Sequence, residues 1–121
     1  MSAQTPEEAH ALLAAAFEAG DVGALAELYE DGAVVIVPPE GRRVSGRAAI
    51  LAAVEPMAAL RPRFRSDVVE KLETDGLALT HARWTAVTAD GSELGGRGTI
   101  VSRRQADGSW RIVLDNPMSP G

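Results

Sequence analysis

Cysteine is absent from the 121-residue chain. That excludes disulfides, thiolate catalysis and cysteine-held metal. Histidine occurs twice, at His10 and His81, far apart and without ligand spacing, which argues against a histidine zinc centre. Neither a metal nor a cofactor is expected. Long apolar runs are missing too: none approaches the roughly 18 residues of a membrane-spanning helix. The opening MSAQTPEEAH has no basic n-region and no long apolar core, so no signal peptide is expected. Positive charge is in deficit, with a net charge of −5, which disfavours a nucleic-acid surface. These absences leave a cytoplasmic protein away from membranes as the expectation. What remains is ordinary for a globular chain, with 45% hydrophobic and 24% charged residues. The length suits one domain with a real core over residues 1–121, and not two.

Along the chain, Thr5-Pro6-Glu7-Glu8 reads as a helix start. Thr5 caps, Pro6 suits the first helical position, and Glu8 closes a capping box. Ala9, Leu12, Leu13, Ala16 and Phe17 then recur at helical spacing. Gly20 ends this helix and Asp21 caps a second, whose apolar face is Val22, Leu25, Ala26, Leu28 and Tyr29. Asp31-Gly32 reads as a turn into a short strand, Ala33 to Val37, closed by Pro38-Pro39. A polar loop leads to Gly46 and a third helix from about Arg47 to about Leu60, which Pro56 should kink or break. The remainder reads as strands at Phe64–Glu73, Leu77–Thr88, Glu93–Arg104 and Ser109–Asn116, separated by Asp75-Gly76, Asp90-Gly91 and Asp107-Gly108. Asp-Gly pairs between alternating segments are hairpin signals. Only Met1–Gln4 and Met118–Gly121 look loose. The pattern implies an α+β fold, an antiparallel curved sheet with three helices from the N-terminal half on one face.

Four stretches carry a family resemblance: Ala19-Gly20-Asp21; Leu28-Tyr29-Glu30-Asp31-Gly32-Ala33; Ser45-Gly46-Arg47-Ala48-Ala49-Ile50; and Gly108-Ser109-Trp110-Arg111-Ile112-Val113 with Asp115-Asn116-Pro117. In this order, over Thr5 to Pro117, the chain resembles the NTF2-like superfamily of cone-shaped α+β folds, which includes ketosteroid isomerases and SnoaL-like polyketide cyclases. It looks most like the DUF4440, or SgcJ/EcaC-like, branch. The resemblance implies a pocket inside the cone and pairing of two copies through convex sheet faces. Ketosteroid isomerases need a carboxylate base and two acidic donors, a tyrosine and a protonated aspartic acid. Aligned here, the base falls on Val37, the tyrosine on Leu13 and the aspartic acid near Ile100. None of these side chains can take or give a proton, so this is not a ketosteroid isomerase. The Asp-Arg-Asp arrangement of limonene epoxide hydrolases has no counterpart either.

Strand alternation sorts the remaining candidates. If Val37 points inward, so does Val35. Ala78, Thr80, Ala82 and Trp84 then form the inner face of their strand, and Leu77, Leu79, His81 and Arg83 a partner-binding outer face. Alternation puts Trp110, Ile112, Leu114 and Asn116 together, with Arg111, Val113 and Asp115 opposite. Together with Leu13, Tyr29, Ala53, Val54, Met57 and Ile100, these residues describe a mostly apolar pocket with Tyr29, Trp84 and Asn116 as polar contacts, unless they simply fill a core. Asp115 is the best remaining acid, as a general base in an apolar pocket or as a structural residue on the other face. His81 is the alternative acid or base, or an interface histidine. His10 reads as exposed and Glu55 as a helix residue near the pocket mouth. Arg61, Arg63 and Arg65 either face inward and hold an anion or form a solvated edge. Arg97, within Gly95-Gly96-Arg97-Gly98, marks a place of sharp bending or close packing.

The expected function is binding of a small hydrophobic molecule, with an accessory role in specialised metabolism. The alternatives are a cofactor-independent isomerase, cyclase or hydrolase using Asp115 or His81, and a homodimeric association module. The last follows if Leu77, Leu79 and Val113 form an apolar patch that needs covering.

Overall fold

The computed structural model describes residues 2–119. Helix α1 (Pro6–Ala19) begins as its sequence dictates: the Thr5 hydroxyl accepts the Glu8 N–H at 3.1 Å, and the chain turns out at Gly20 with φ 66°. The Glu8 carboxylate reaches back one residue further than a standard capping box, to the Gln4 N–H at 2.9 Å. Helix α2 (Val22–Glu27) starts on an Asp21 cap to Ala24. It stops before Leu28 and Tyr29, which were expected on its face. Tyr29 instead opens strand β1 (Tyr29–Val37).

The early start of β1 has a tertiary cause. Its first residue pairs with Ile112 of β6 (Trp110–Asn116), and the Ile112 N–H donates to the Leu28 carbonyl at 2.7 Å. This pair is parallel, so the sheet is mixed where a wholly antiparallel one was expected. The register shifts between Tyr29 and Val34, so Asp31-Gly32 lies in an irregular stretch of strand rather than in a turn. The loop expected after Pro38-Pro39 contains strand β2 (Arg42–Ser45), which folds back antiparallel on β1. Its polar residues hid it: Arg42, Arg43 and Ser45 are exposed on a sheet edge.

Helix α3 (Arg47–Ala59) runs through Pro56 unbroken. Pro56 and Ala52 both lie on the exposed side. The carbonyl of Ala52, deprived of its helical partner, can be served by solvent. Strands β3 (Arg63–Thr74), β4 (Leu77–Val87) and β5 (Glu93–Arg104) form the expected hairpins with β6, closing a six-stranded sheet in the order β2-β1-β6-β5-β4-β3.

The three helices cover one face of this curved sheet and the core lies between. Tyr29, Leu25, Leu28, Ile50 and Ile112 are its largest fully buried side chains. The N-terminal stretch is not loose as expected: Ala3 is buried and its carbonyl accepts the Trp110 N–H at 2.8 Å. Met118 and Ser119 are tied down as well, the latter to the Arg97 carbonyl at 2.9 Å. Met1, Pro120 and Gly121, also expected to be loose, lie outside the described residues.

Two bulges set which side chains face the helices. In β3 the register slips between Val68 and Glu70, which leaves Val69 as the extra residue. In β6, Leu114 faces Val101 while Ile112 faces Ser102, so Val113 is the extra residue. A single extra residue reverses the alternation of everything beyond it.

Candidate functional site

Between helices and sheet lies a cavity of about 130 Å³. Helix α1 contributes His10, Leu13 and Phe17; α3 contributes Ala53, Val54 and Met57; β1 contributes Tyr29, Val35 and Val37. The long strands add Phe64 and Ser66, Ala82 and Trp84, and Gly98 and Ile100, while Asp115 and Pro117 come from the end of β6. Leu13, Val37 and Ile100, where steroid-isomerase chemistry would need its acids and base, all line this space as hydrocarbon.

Asp115 is the main correction to the alternation argument. The Val113 bulge turns it inward, and it turns Leu114 and Asn116 outward. Leu114 is 47% exposed, and the Asn116 side chain accepts the Met118 N–H at 3.1 Å. Neither residue lines the cavity, so both leave the ligand-binding set. The Asp115 carboxylate Oδ2 instead accepts a hydrogen bond from the buried Tyr29 hydroxyl at 3.1 Å. Burial pushes the Asp115 carboxyl up to about 6, against the opposing effect of the Tyr29 hydrogen bond. Tyr29 is driven well above the ordinary phenol range by its own burial and by the neighbouring carboxylate.

His10 was read as exposed and is 4% exposed. Its Nε2 lies 2.6 Å from the Thr80 hydroxyl of β4. Burial lowers its pKa to about 4, with Glu7 opposing, so the ring is neutral near pH 7. The signal was present in the sequence: His10, Leu13 and Phe17 follow helical spacing, so one face carries all three. His81 does not line the cavity. It sits half-buried on the outer face, with Nδ1 2.9 Å from the Thr99 hydroxyl and Nε2 3.7 Å from Glu70.

Trp84 was expected to offer its indole N–H to a ligand. That donor is already committed to the Pro117 carbonyl at 2.8 Å. Its ring instead ends a stacked row, Phe17 to Phe64 at 5.2 Å and Phe64 to Trp84 at 5.6 Å between centroids. The glycines beside it permit this. A methyl group at Gly95 would fall 2.7 Å from the Trp84 carbonyl oxygen, and one at Gly98 would touch the Trp84 ring at 3.4 Å. Arg61, Arg63 and Arg65 are exposed while Phe64 and Ser66 line the cavity, so the arginine row is a solvated edge. Glu55 is exposed as well. Among the described residues no cluster of three or more histidine, aspartate or glutamate side chains could hold a metal ion. No helix there is long and apolar enough to cross a membrane.

A curved six-stranded sheet, three helices on one face and a cavity between them define an NTF2-like cone. The SnoaL-like domain family matches residues 9–113, and the chain belongs to that family. No curated protein matches the chain. Among solved structures, it is similar to a proposed calcium/calmodulin-dependent protein kinase type II association domain from Thiobacillus denitrificans. The two share 26% identity over 98% of this chain and 99% of that one, with a TM-score of 0.78. A proposed dehydratase of the NTF2-like family from Streptomyces avermitilis shares 21% identity over 94% of each chain, with a TM-score of 0.75. A proposed ketosteroid isomerase from Parabacteroides distasonis shares 18% identity over 92% of this chain and 84% of that one, with a TM-score of 0.73. The last two likenesses show the fold alone.

Proposed function

We propose that the protein binds a small, mainly apolar molecule inside the cone and reads it through the Tyr29–Asp115 pair. The observation that carries this reading is a cavity walled by hydrocarbon with one hydrogen-bonded carboxylate in it. Ligand pockets have this composition, an apolar wall with a few placed polar groups. The volume limits the occupant. A cavity of about 150 Å³ accepts benzene, so 130 Å³ suits one small ring or the end of a longer molecule. Filling the space tests this. Val54→Phe should abolish the amide chemical-shift changes that small aromatic compounds cause at Leu13, Trp84 and Ile100. Unchanged responses in the filled variant would place binding elsewhere and sink the reading. The four sequence motifs also support the DUF4440, SgcJ/EcaC-like branch.

A second reading is favoured by the inward position of Asp115. A carboxylate titrating near 6 inside an apolar pocket suits a general base. In this reading Asp115 removes a proton from a carbon next to a carbonyl and returns one, without a cofactor. Exchange of the α-protons of cyclopentanone in heavy water measures this step directly. The wild type should accelerate exchange and Asp115→Asn should lose the acceleration. Equal rates in both would remove Asp115 as a base.

The partner reading is a second copy of this chain on the outer sheet face. Register places Leu72, Leu79, Val101, Leu114 and Val34 in one row across five strands. Leu72 is 62% and Leu114 47% exposed, and an apolar row of this extent calls for a cover. The likeness to a proposed association domain agrees with it.

A further inference from the structure

Three ionisable side chains stand in the cavity wall: His10 from α1, Tyr29 from β1 and Asp115 from β6. From α3, β3, β4 and β5 the wall receives none. His10 and Tyr29 are both held neutral near pH 7. Among the described residues Asp115 is therefore the sole wall group that carries charge there, and the charge is negative. Its Oδ2 is taken by Tyr29, while Oδ1 accepts no hydrogen bond among the described residues. Among the described residues no arginine or lysine lines the cavity; Arg61, Arg63 and Arg65 are spent on the solvated edge. Asp115 is half-buried, and a carboxylate set in a hydrocarbon wall without a cationic partner is poorly solvated in the empty protein.

From this arrangement, and resting on the pocket reading above, we propose that the occupant is a small organic amine, bound as its ammonium ion. Its N–H group donates to Asp115 Oδ1 and its apolar body fills the space between Leu13, Val54 and Ile100. A protonated amine supplies both things the wall lacks, a positive charge and a donor. A neutral alcohol supplies only the donor, and a carboxylate supplies neither and meets like charge. The pocket thus selects by charge sign first and by size second.

Four monosubstituted benzenes test this by titration calorimetry at pH 8: benzylamine, benzyl alcohol, toluene and benzoate. Benzylamine should bind about tenfold or more tighter than benzyl alcohol or toluene, and benzoate should not bind. Asp115→Asn should weaken benzylamine by about thirtyfold or more, the usual loss when one member of a charge pair is removed, and abolish its preference over toluene. A cooperative urea denaturation of the variant checks that it folds. In the unaltered protein, benzylamine affinity should fall between pH 8 and pH 5 as Asp115 takes up its proton, while His10 and Tyr29 stay neutral. Toluene or benzyl alcohol binding as well as benzylamine overturns the amine inference and leaves the pocket reading standing. So does benzoate binding, or an Asp115→Asn variant that keeps its preference for the amine. Binding of none of the four overturns the pocket reading and this inference together.

Discussion

Asp115 and His10 face the same cavity with opposite pH behaviour. Asp115 has a folded pKa of about 6, above the ordinary value of about 4. Its contribution to stability is therefore fully present below about pH 4 and is lost as pH rises through 6. His10 has a folded pKa of about 4, below its ordinary 6.5. Its contribution is present above 6.5 and is lost as pH falls through 4. Over the shared window the two oppose each other, so this pair by itself adds little net slope to stability between pH 4.5 and 6. Single variants should uncover each. Asp115→Asn should be more stable than wild type at pH 8, by about 2 kcal/mol, and should lose stability on acidification. His10→Leu should gain stability over the same range instead. Urea denaturation at several pH values reads both slopes; parallel profiles for the wild type and both variants would contradict the assignment.

At the scale of elements, bulges and glycines decide what the strands present. The Val113 bulge carries Asp115 into the cavity and leaves Leu114 on the outer face. At Gly95 the strands β4 and β5 approach so closely that any Cβ would enter the Trp84 carbonyl. Gly95→Ala should therefore cost about 2 kcal/mol, the usual range for overpacking against an unyielding neighbour. At Gly98 an added methyl makes ordinary contact with Trp84 and Pro117. Gly98→Ala should keep stability within about 1 kcal/mol and narrow the cavity. Denaturation midpoints of the two variants compare them directly, and equal losses would show that the close approach at Gly95 is relieved in solution.

At the scale of the whole molecule, the proposed pairing of two copies rests on the outer sheet face. Its apolar row lies between a polar row, Glu70, His81, Thr99 and Asn116, and a second containing Leu77, Arg103 and Arg111. A second copy laid on this face would bury the leucines and leave the charged rows at the rim. Sedimentation at micromolar concentration should give a dimer, and Val101→Glu, in mid-row, should give a folded monomer. A wild-type monomer at that concentration would reject the pairing, as would a Val101→Glu variant that remains dimeric.

The helices, the Asp-Gly hairpins and the inner face of β4 were legible in the sequence because each rests on local chemistry. Caps act over three or four residues, φ above zero calls for glycine, and a period of two separates Ala78, Thr80, Ala82 and Trp84 from Leu77, Leu79 and His81. So was most of the cavity wall: Leu13, Tyr29, Val35, Val37, Val54, Met57, Trp84 and Ile100 all reach it. Which polar side chains of β6 face the cavity was not legible. Asp115 turns inward, and Leu114 and Asn116 outward, through one unpaired residue, and nothing in the composition of β6 marks Val113 as that residue. The parallel pairing that draws Tyr29 into β1 joins segments more than eighty residues apart. His10 and Thr80, seventy residues apart, meet only when α1 lies on the sheet. Local propensity and periodicity determined the elements and the apolar wall. Register and the bulge, which are properties of paired strands and not of any one strand, decided which titratable groups share the cavity.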